Sequence, residues 1–146
     1  MIILATPYSD VVNDFLSKVT DYDLPDMLLE DREEIVLGYM KRSCAKFSRL
    51  CLIDLLDIDE ESEQFNQTLD EEVIDIITEG MIVEWLKPKL YTLENLRNVL
   101  NTKDFNMYSP ANLLSQIRET YNESKSEFKS LMKNYSHYYG NVGDSN

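Results

Sequence analysis

From Leu114 to Tyr135 the apolar positions fall three and four residues apart: Leu114, Ile117, Tyr121, then Ser124 as a small interruption, Phe128, Leu131 and Tyr135. A period of 3.5 held over about three heptads predicts a long helix with one seam. That seam packs into a core or onto a neighbouring subunit. Ser109 followed by Pro110 reads as the start of this helix. Charged and amide residues, among them Arg118, Glu119, Lys125, Glu127, Lys129 and Lys133, fill the remaining faces.

Four more segments carry weaker patterns. Tyr8, Val12, Phe15 and Val19 make one stripe, so Pro7 to Val19 is read as a helix capped by Thr6. The stretch TDYDLPD breaks it, because Thr20, Asp21 and Asp23 favour turns and Pro25 restricts Leu24. A second helix is expected from about Pro25 to Leu50, with Val36, Met40, Ser43, Cys44, Phe47 and Cys51 inward. Gly38 inside it marks an expected close helix crossing, since glycine in a helix otherwise costs up to about 1 kcal/mol. Asp70 is placed to cap a third helix, with Glu71 and Glu72 at its positive end. That helix is apolar on most sides from Val73 to Leu86, as a central core helix would be, and Pro88 is expected to end or kink it. Lys89 to Leu100 forms a short fourth helix in this reading, followed by a turn-rich connection, NTKDFNMYSP. Trp85, Met81, Phe105 and Tyr108 are assigned to the core.

The pattern predicts an all-α chain, a small bundle of four to five helices ending in a long C-terminal helix. A length of 146 residues suits one domain, taken as residues 1–135. Residues 136–146, SHYYGNVGDSN, are expected to be an extended, flexible chain end that orders on a partner. Four Gly and four Pro are too few for a turn-rich β protein.

Charge changes the picture. The net charge is −13 and it is unevenly spread. Between Leu50 and Leu86 stand twelve acids and no Lys or Arg, whereas the rest of the chain is close to neutral. Such a field repels nucleic-acid phosphates, which argues against a phosphate-gripping function. Residues 54–69 lack clean periodicity and read as an acidic loop holding at most one short turn or strand. Cys44 and Cys51 read as small core residues of a reducing compartment. The start, MIILATPYSD, lacks the basic residue and the apolar length of a signal peptide. No stretch approaches the roughly 20 apolar residues of a membrane span. A cytoplasmic chain is expected.

Candidate chemistry is sparse. The one histidine, His137, lies at the frayed end of the last helix without the frame that base catalysis needs. The acidic loop offers many carboxylates and no pattern that singles out two for acid–base work. As a calcium loop it fails, because Leu55, Leu56 and Ile58 occupy ligand-like slots and the central glycine is missing. No glycine-rich phosphate loop precedes a helix. Tyr138 and Tyr139 read as an anchor for a protein partner. No enzyme, cofactor or metal is expected. An acidic DNA mimic or regulatory binder is the reading from another class, and the concentration of the acids in one run argues against it.

The segments GMIVEWLKPKL, NLRNVLNTKDFNMYSPANLL and RETYNESKSEFKSLMKNY, with the opening TPYSDVVNDFLSKVTDYD, resemble the head-tail connector (adaptor) proteins of tailed bacteriophages and prophages of Gram-positive bacteria. The likeness covers most of the chain and is weakest between Leu50 and Thr68. It rests on packing and turn residues, so it speaks of family more than of chemistry. It implies a virion protein of the neck, twelve copies of which form a ring between the portal and the stopper or tail. Double-stranded DNA passes through such a ring without specific binding, and a stopper or tail-completion role is closely related. The chain end, with Tyr135, His137, Tyr138, Tyr139, Asn141 and Val142, is then the expected dock on the portal protein. Asp54, Asp57, Asp59, Glu60, Glu61 and Glu63 are expected to face the channel. Leu114, Ile117, Tyr121, Phe128 and Leu131 form the subunit or core seam. No membrane partner is implied.

Overall fold

The computed structural model describes residues 4–20, 33–108 and 112–143. Helix α1 spans Tyr8–Thr20, α2 Glu33–Phe47, α3 Glu71–Val99, α4 Thr102–Tyr108 and α5 Leu113–Gly143. Three two-residue strands, β1 (Thr6–Pro7), β2 (Ile58–Asp59) and β3 (Gln64–Phe65), make a small antiparallel sheet in the order β1-β3-β2. The protein is an all-α bundle with a long C-terminal helix.

Helix α3 is the axis. Asp70 caps it by accepting from the Val73 N–H at 2.9 Å. From Val73 to Leu86 most of its side chains are buried, and α1, α2 and α5 all pack on it. A helix so enclosed must be apolar nearly all round. The same enclosure explains why Pro88 does not end it. Proline removes one hydrogen bond, normally at a cost of about 3 kcal/mol. Burial of Trp85, Leu86 and Leu90 on both sides of the proline outweighs that loss. The third and fourth helices expected from the sequence are one helix.

Helix α5 runs antiparallel to α3. The Arg118 guanidinium meets Glu94 at 3.2 Å, Phe128 lies against Gly80, and the Tyr139 hydroxyl donates to Glu72 at 2.9 Å. The seam faces the chain's own core: Leu114, Ile117 and Phe128 are buried, with Tyr121 and Leu131 packed against them. The close crossing is at Gly80 and not at Gly38. A Cβ on Gly80 would lie 2.6 Å from Phe128 Cζ and would also collide with Ser43 Oγ. At Gly38 the nearest atom would be Arg42 Nη1 at 3.5 Å, ordinary contact. Ser43, fully buried, donates to the Ile77 carbonyl at 2.7 Å, so α2, α3 and α5 converge at one point.

Other expectations are corrected in detail. Thr6 does not cap α1. It sits in β1 opposite Phe65, its hydroxyl accepting from the Leu69 N–H and donating to the Gln67 carbonyl. The stripe of α1 is Tyr8, Val11, Phe15 and Val19, with Val12 at its margin. The expected start of α2 at Pro25 and the Ser109-Pro110 start of α5 lie outside the described residues. The connection after Leu100 contains α4, opened by Asn101 accepting from the Asp104 N–H at 2.8 Å. Trp85 and Met81 are core residues, Phe105 is only partly buried, and the Tyr108 side chain is outside the described part.

Candidate interaction surfaces

The chain end is the first correction that bears on function. Residues 136–143 do not form an extended segment, because α5 continues through them. Tyr135 is the reason. Its ring is buried edge-on against Phe47, with centroids 5.1 Å apart. Its hydroxyl accepts from the Leu52 N–H at 3.3 Å and from the Cys51 thiol at 3.7 Å. Burial, then the Cys51 contact, pushes the Tyr135 hydroxyl up to about 12. Tyr139 stacks on Tyr135 at 4.5 Å and reaches Glu72. These contacts hold the last turns to the bundle and add a reason for helix that composition did not show.

Of the residues proposed as a dock, Tyr135 is therefore internal and Tyr139 is half engaged. Tyr138 is 71% exposed and His137 is exposed. Asn141 and Val142 continue the helix, their side chains being outside the described part. Leu52 and Leu56, more than 60% exposed, lie in the loop that Tyr135 tethers. Tyr138, Leu52 and Leu56 thus belong to one end of the bundle. The opposite end carries Val99 and Met107, both more than three-quarters exposed, at the close of α3 and on α4. The 29 residues of α3 separate the two ends by about 43 Å.

The acidic loop is built, not slack. Asp54 accepts from the Leu56 N–H, Asp59 from the N–H groups of Glu61 and Ser62, and Asp57 from the Asn66 side chain. These side-chain turns fold the loop back so that β2 and β3 pair. Glu63 takes a positive φ of 50° where β3 begins, and its carbonyl accepts from the Tyr8 N–H. Glu60 pairs with Lys41 at 2.9 Å. Asp54, Asp57, Glu60, Glu61 and Glu63 are exposed and Asp59 is partly so. Leu55 and Phe65 anchor the loop in the core.

Two charged arrangements were not legible in sequence. Glu84, buried on α3, holds Lys46 at 2.6 Å and Arg42 at 3.1 Å. Burial pushes its carboxyl up, but the hydrogen bonds and charges of Lys46 and Arg42 outweigh this and hold it below the usual carboxylate range. The only signal was the spacing of Arg42 and Lys46, four apart on one helix face. On the other side Lys18 bridges Asp75, Asp14 and Thr78. Glu79 stands nearby, raised above its ordinary value by burial, with Lys18 lowering it and Glu127 and Asp75 raising it.

Cys44 and Cys51 are free thiols, and burial pushes Cys44 up to about 12. Among the described residues no group of three or more His, Cys, Asp or Glu is placed to hold a metal ion. No helix among them is long and apolar enough to cross a membrane. No protein-family model, no curated protein and no solved structure matches the chain.

Proposed function

We propose that this protein is a structural connector of a phage neck. It would join the portal to the stopper or tail as a ring of twelve copies that lengthens the DNA channel. The observation that carries the reading is the pair of exposed apolar ends, Tyr138 with Leu52 and Leu56 at one and Val99 with Met107 at the other. A rigid bundle with a contact group at each end suits a part that binds one partner above and another below. The sequence likeness to head-tail adaptors points the same way. Carboxylates such as Asp54 and Asp57, held by hydrogen bonds within the loop and exposed, suit a wall that must repel DNA phosphates.

In this reading Tyr138 is the anchor at the portal. The chain end meets its partner as a preformed helix, so ordering costs little on binding. A stopper or tail-completion role would use the same two ends. The test is capture of the purified portal by the wild-type chain and by Tyr138→Ala and Met107→Ala variants. Loss of capture with Tyr138→Ala and retention with Met107→Ala supports the reading. Capture unaffected by both substitutions, or no capture at all, refutes it.

A further inference from the structure

Six of the fourteen Lys and Arg residues of this acidic protein lie along one side, while Lys18 is paired with Asp14 and Asp75 on the other. On α5, Lys125, Lys129 and Lys133 recur every four residues and are exposed. At about 100° per residue, Lys129 lies roughly 120° to one side of the buried seam. Glu119, Glu123 and Glu127 recur in the same way, with Glu123 roughly 120° to the other side. The bundle extends both stripes. Arg42 and Lys46 of α2 and Arg49 in the turn after it surround a hollow of about 460 Å³ shared with Met132 of α5. On the other side of α5, Glu79 lies within electrostatic reach of both Glu127 and Asp75. Asp75 in turn lines a hollow of about 550 Å³ with Asp10, Asp14, Glu71, Glu72 and Ile74.

The two faces are opposite in charge: Arg42, Lys46 and Arg49 border one hollow beside Ala45 and Met132, and Asp10, Asp14, Glu71, Glu72 and Asp75 border the other beside Ile74. Among the described residues Arg49, Lys129 and Lys133 have no ion-pair partner. Placed on different sides of α5, the faces cannot meet within one chain.

We propose that the basic α2/α5 face is the docking surface for a second copy of this chain, which presents its acidic α1/α3/α5 face head to tail. Such a contact joins unlike surfaces, so it propagates, and it closes into a ring when the rotation per copy allows. The proposal deepens the connector reading by naming how neighbouring copies meet.

Salt sets the conditions of the test. A net charge of −13 repels copies at long range. At about 0.1 M salt the Debye length is about 10 Å, which screens that repulsion while contact pairs persist. At about 1 M it is about 3 Å and the contact pairs weaken as well. Sedimentation velocity of the purified chain is expected to show concentration-dependent association near 0.1 M that disappears near 1 M. Lys129→Glu with Lys133→Glu, and separately Glu123→Lys with Glu127→Lys, should each lower the association constant more than about tenfold, since like charges then meet. Mixing the two double variants should restore association. All four positions are exposed, and an unchanged helical circular-dichroism spectrum confirms folding. A wild-type chain that stays monomeric at every salt concentration overturns the proposal. So does a mixture that fails to recover, or a labelled DNA duplex that binds wild type and is lost with the lysine reversals. Because purified chain is read here, failure leaves the chain's presence in particles and its portal contact untouched.

Discussion

Replacing Gly80 by Ala tests the packing argument at its tightest point. The added methyl lies 2.6 Å from Phe128 Cζ and collides with Ser43 Oγ. Phe128 is a buried ring of the seam and cannot swing to solvent. Overpacking of this kind costs about 1–3 kcal/mol. Displacing the Ser43 hydroxyl also weakens its bond to the Ile77 carbonyl, about 1 kcal/mol. Against this stands the helix-forming gain of Ala over Gly, up to about 1 kcal/mol. The balance is a loss of about 2 kcal/mol. With a urea slope of about 2 kcal/mol/M, the midpoint falls by about 1 M. Urea unfolding followed by circular dichroism reads this directly. Adding Ser43→Ala to Gly80→Ala removes one of the two collisions, so the double variant should lose less than the sum of the singles. Gly38→Ala, which meets nothing closer than 3.5 Å, should instead gain up to about 1 kcal/mol. A Gly80→Ala variant as stable as wild type, or more stable, would refute the crossing.

Four further outcomes follow from buried or partly buried groups. Glu84 is depressed in the folded state, so its contribution is present above the ordinary value of 4.5 and is lost as pH falls through the folded value; Glu84→Gln should flatten the acid side of the stability–pH curve and, since Arg42 and Lys46 are half exposed, cost about 1 kcal/mol at neutral pH. Glu79 has the opposite sign: its folded value is raised, so stability declines as pH rises from 4.5 through that value, and Glu79→Gln should raise stability at pH 7. The Cys44 thiol, buried and pushed to about 12, should resist alkylation by iodoacetamide at pH 8 in the folded protein and react in urea, as mass spectrometry of the modified peptides will show. Tyr135→Phe keeps the ring on Phe47 but leaves the Leu52 N–H without its acceptor, so a loss of about 1 kcal/mol is expected by urea unfolding.

The sequence carried the helices wherever one face alone meets the core. The stripe of α1 and the 3.5-residue seam of α5 are periodic because one side of each helix is buried. The α3 helix was harder: an enclosed helix has no period, so Pro88 was the strongest local signal, and local signals lose to burial of Trp85, Leu86 and Leu90 on either side. The chain end misled for a related reason. SHYYGNVG reads as loose, yet Tyr135 and Tyr139 find Phe47, Cys51 and Glu72 far away in sequence. Gly38 and Gly80 look alike in one dimension, and only the convergence of three helices distinguishes them. The acidic loop kept its place as an irregular segment, but strands of two residues are too short to show alternation. At the proposed surfaces Tyr138 was legible, being an exposed ring at a terminus. The opposed charge stripes were not, because they are completed by α1, α2 and α3 around α5.

The proposed connector role requires this chain to be a stoichiometric part of a phage neck. The direct test is quantitative mass spectrometry of phage particles purified from a culture of the source strain, with prophage induction. Copies of the chain equal in number to the portal protein are expected. Particles that are complete and infectious with the chain absent would contradict it.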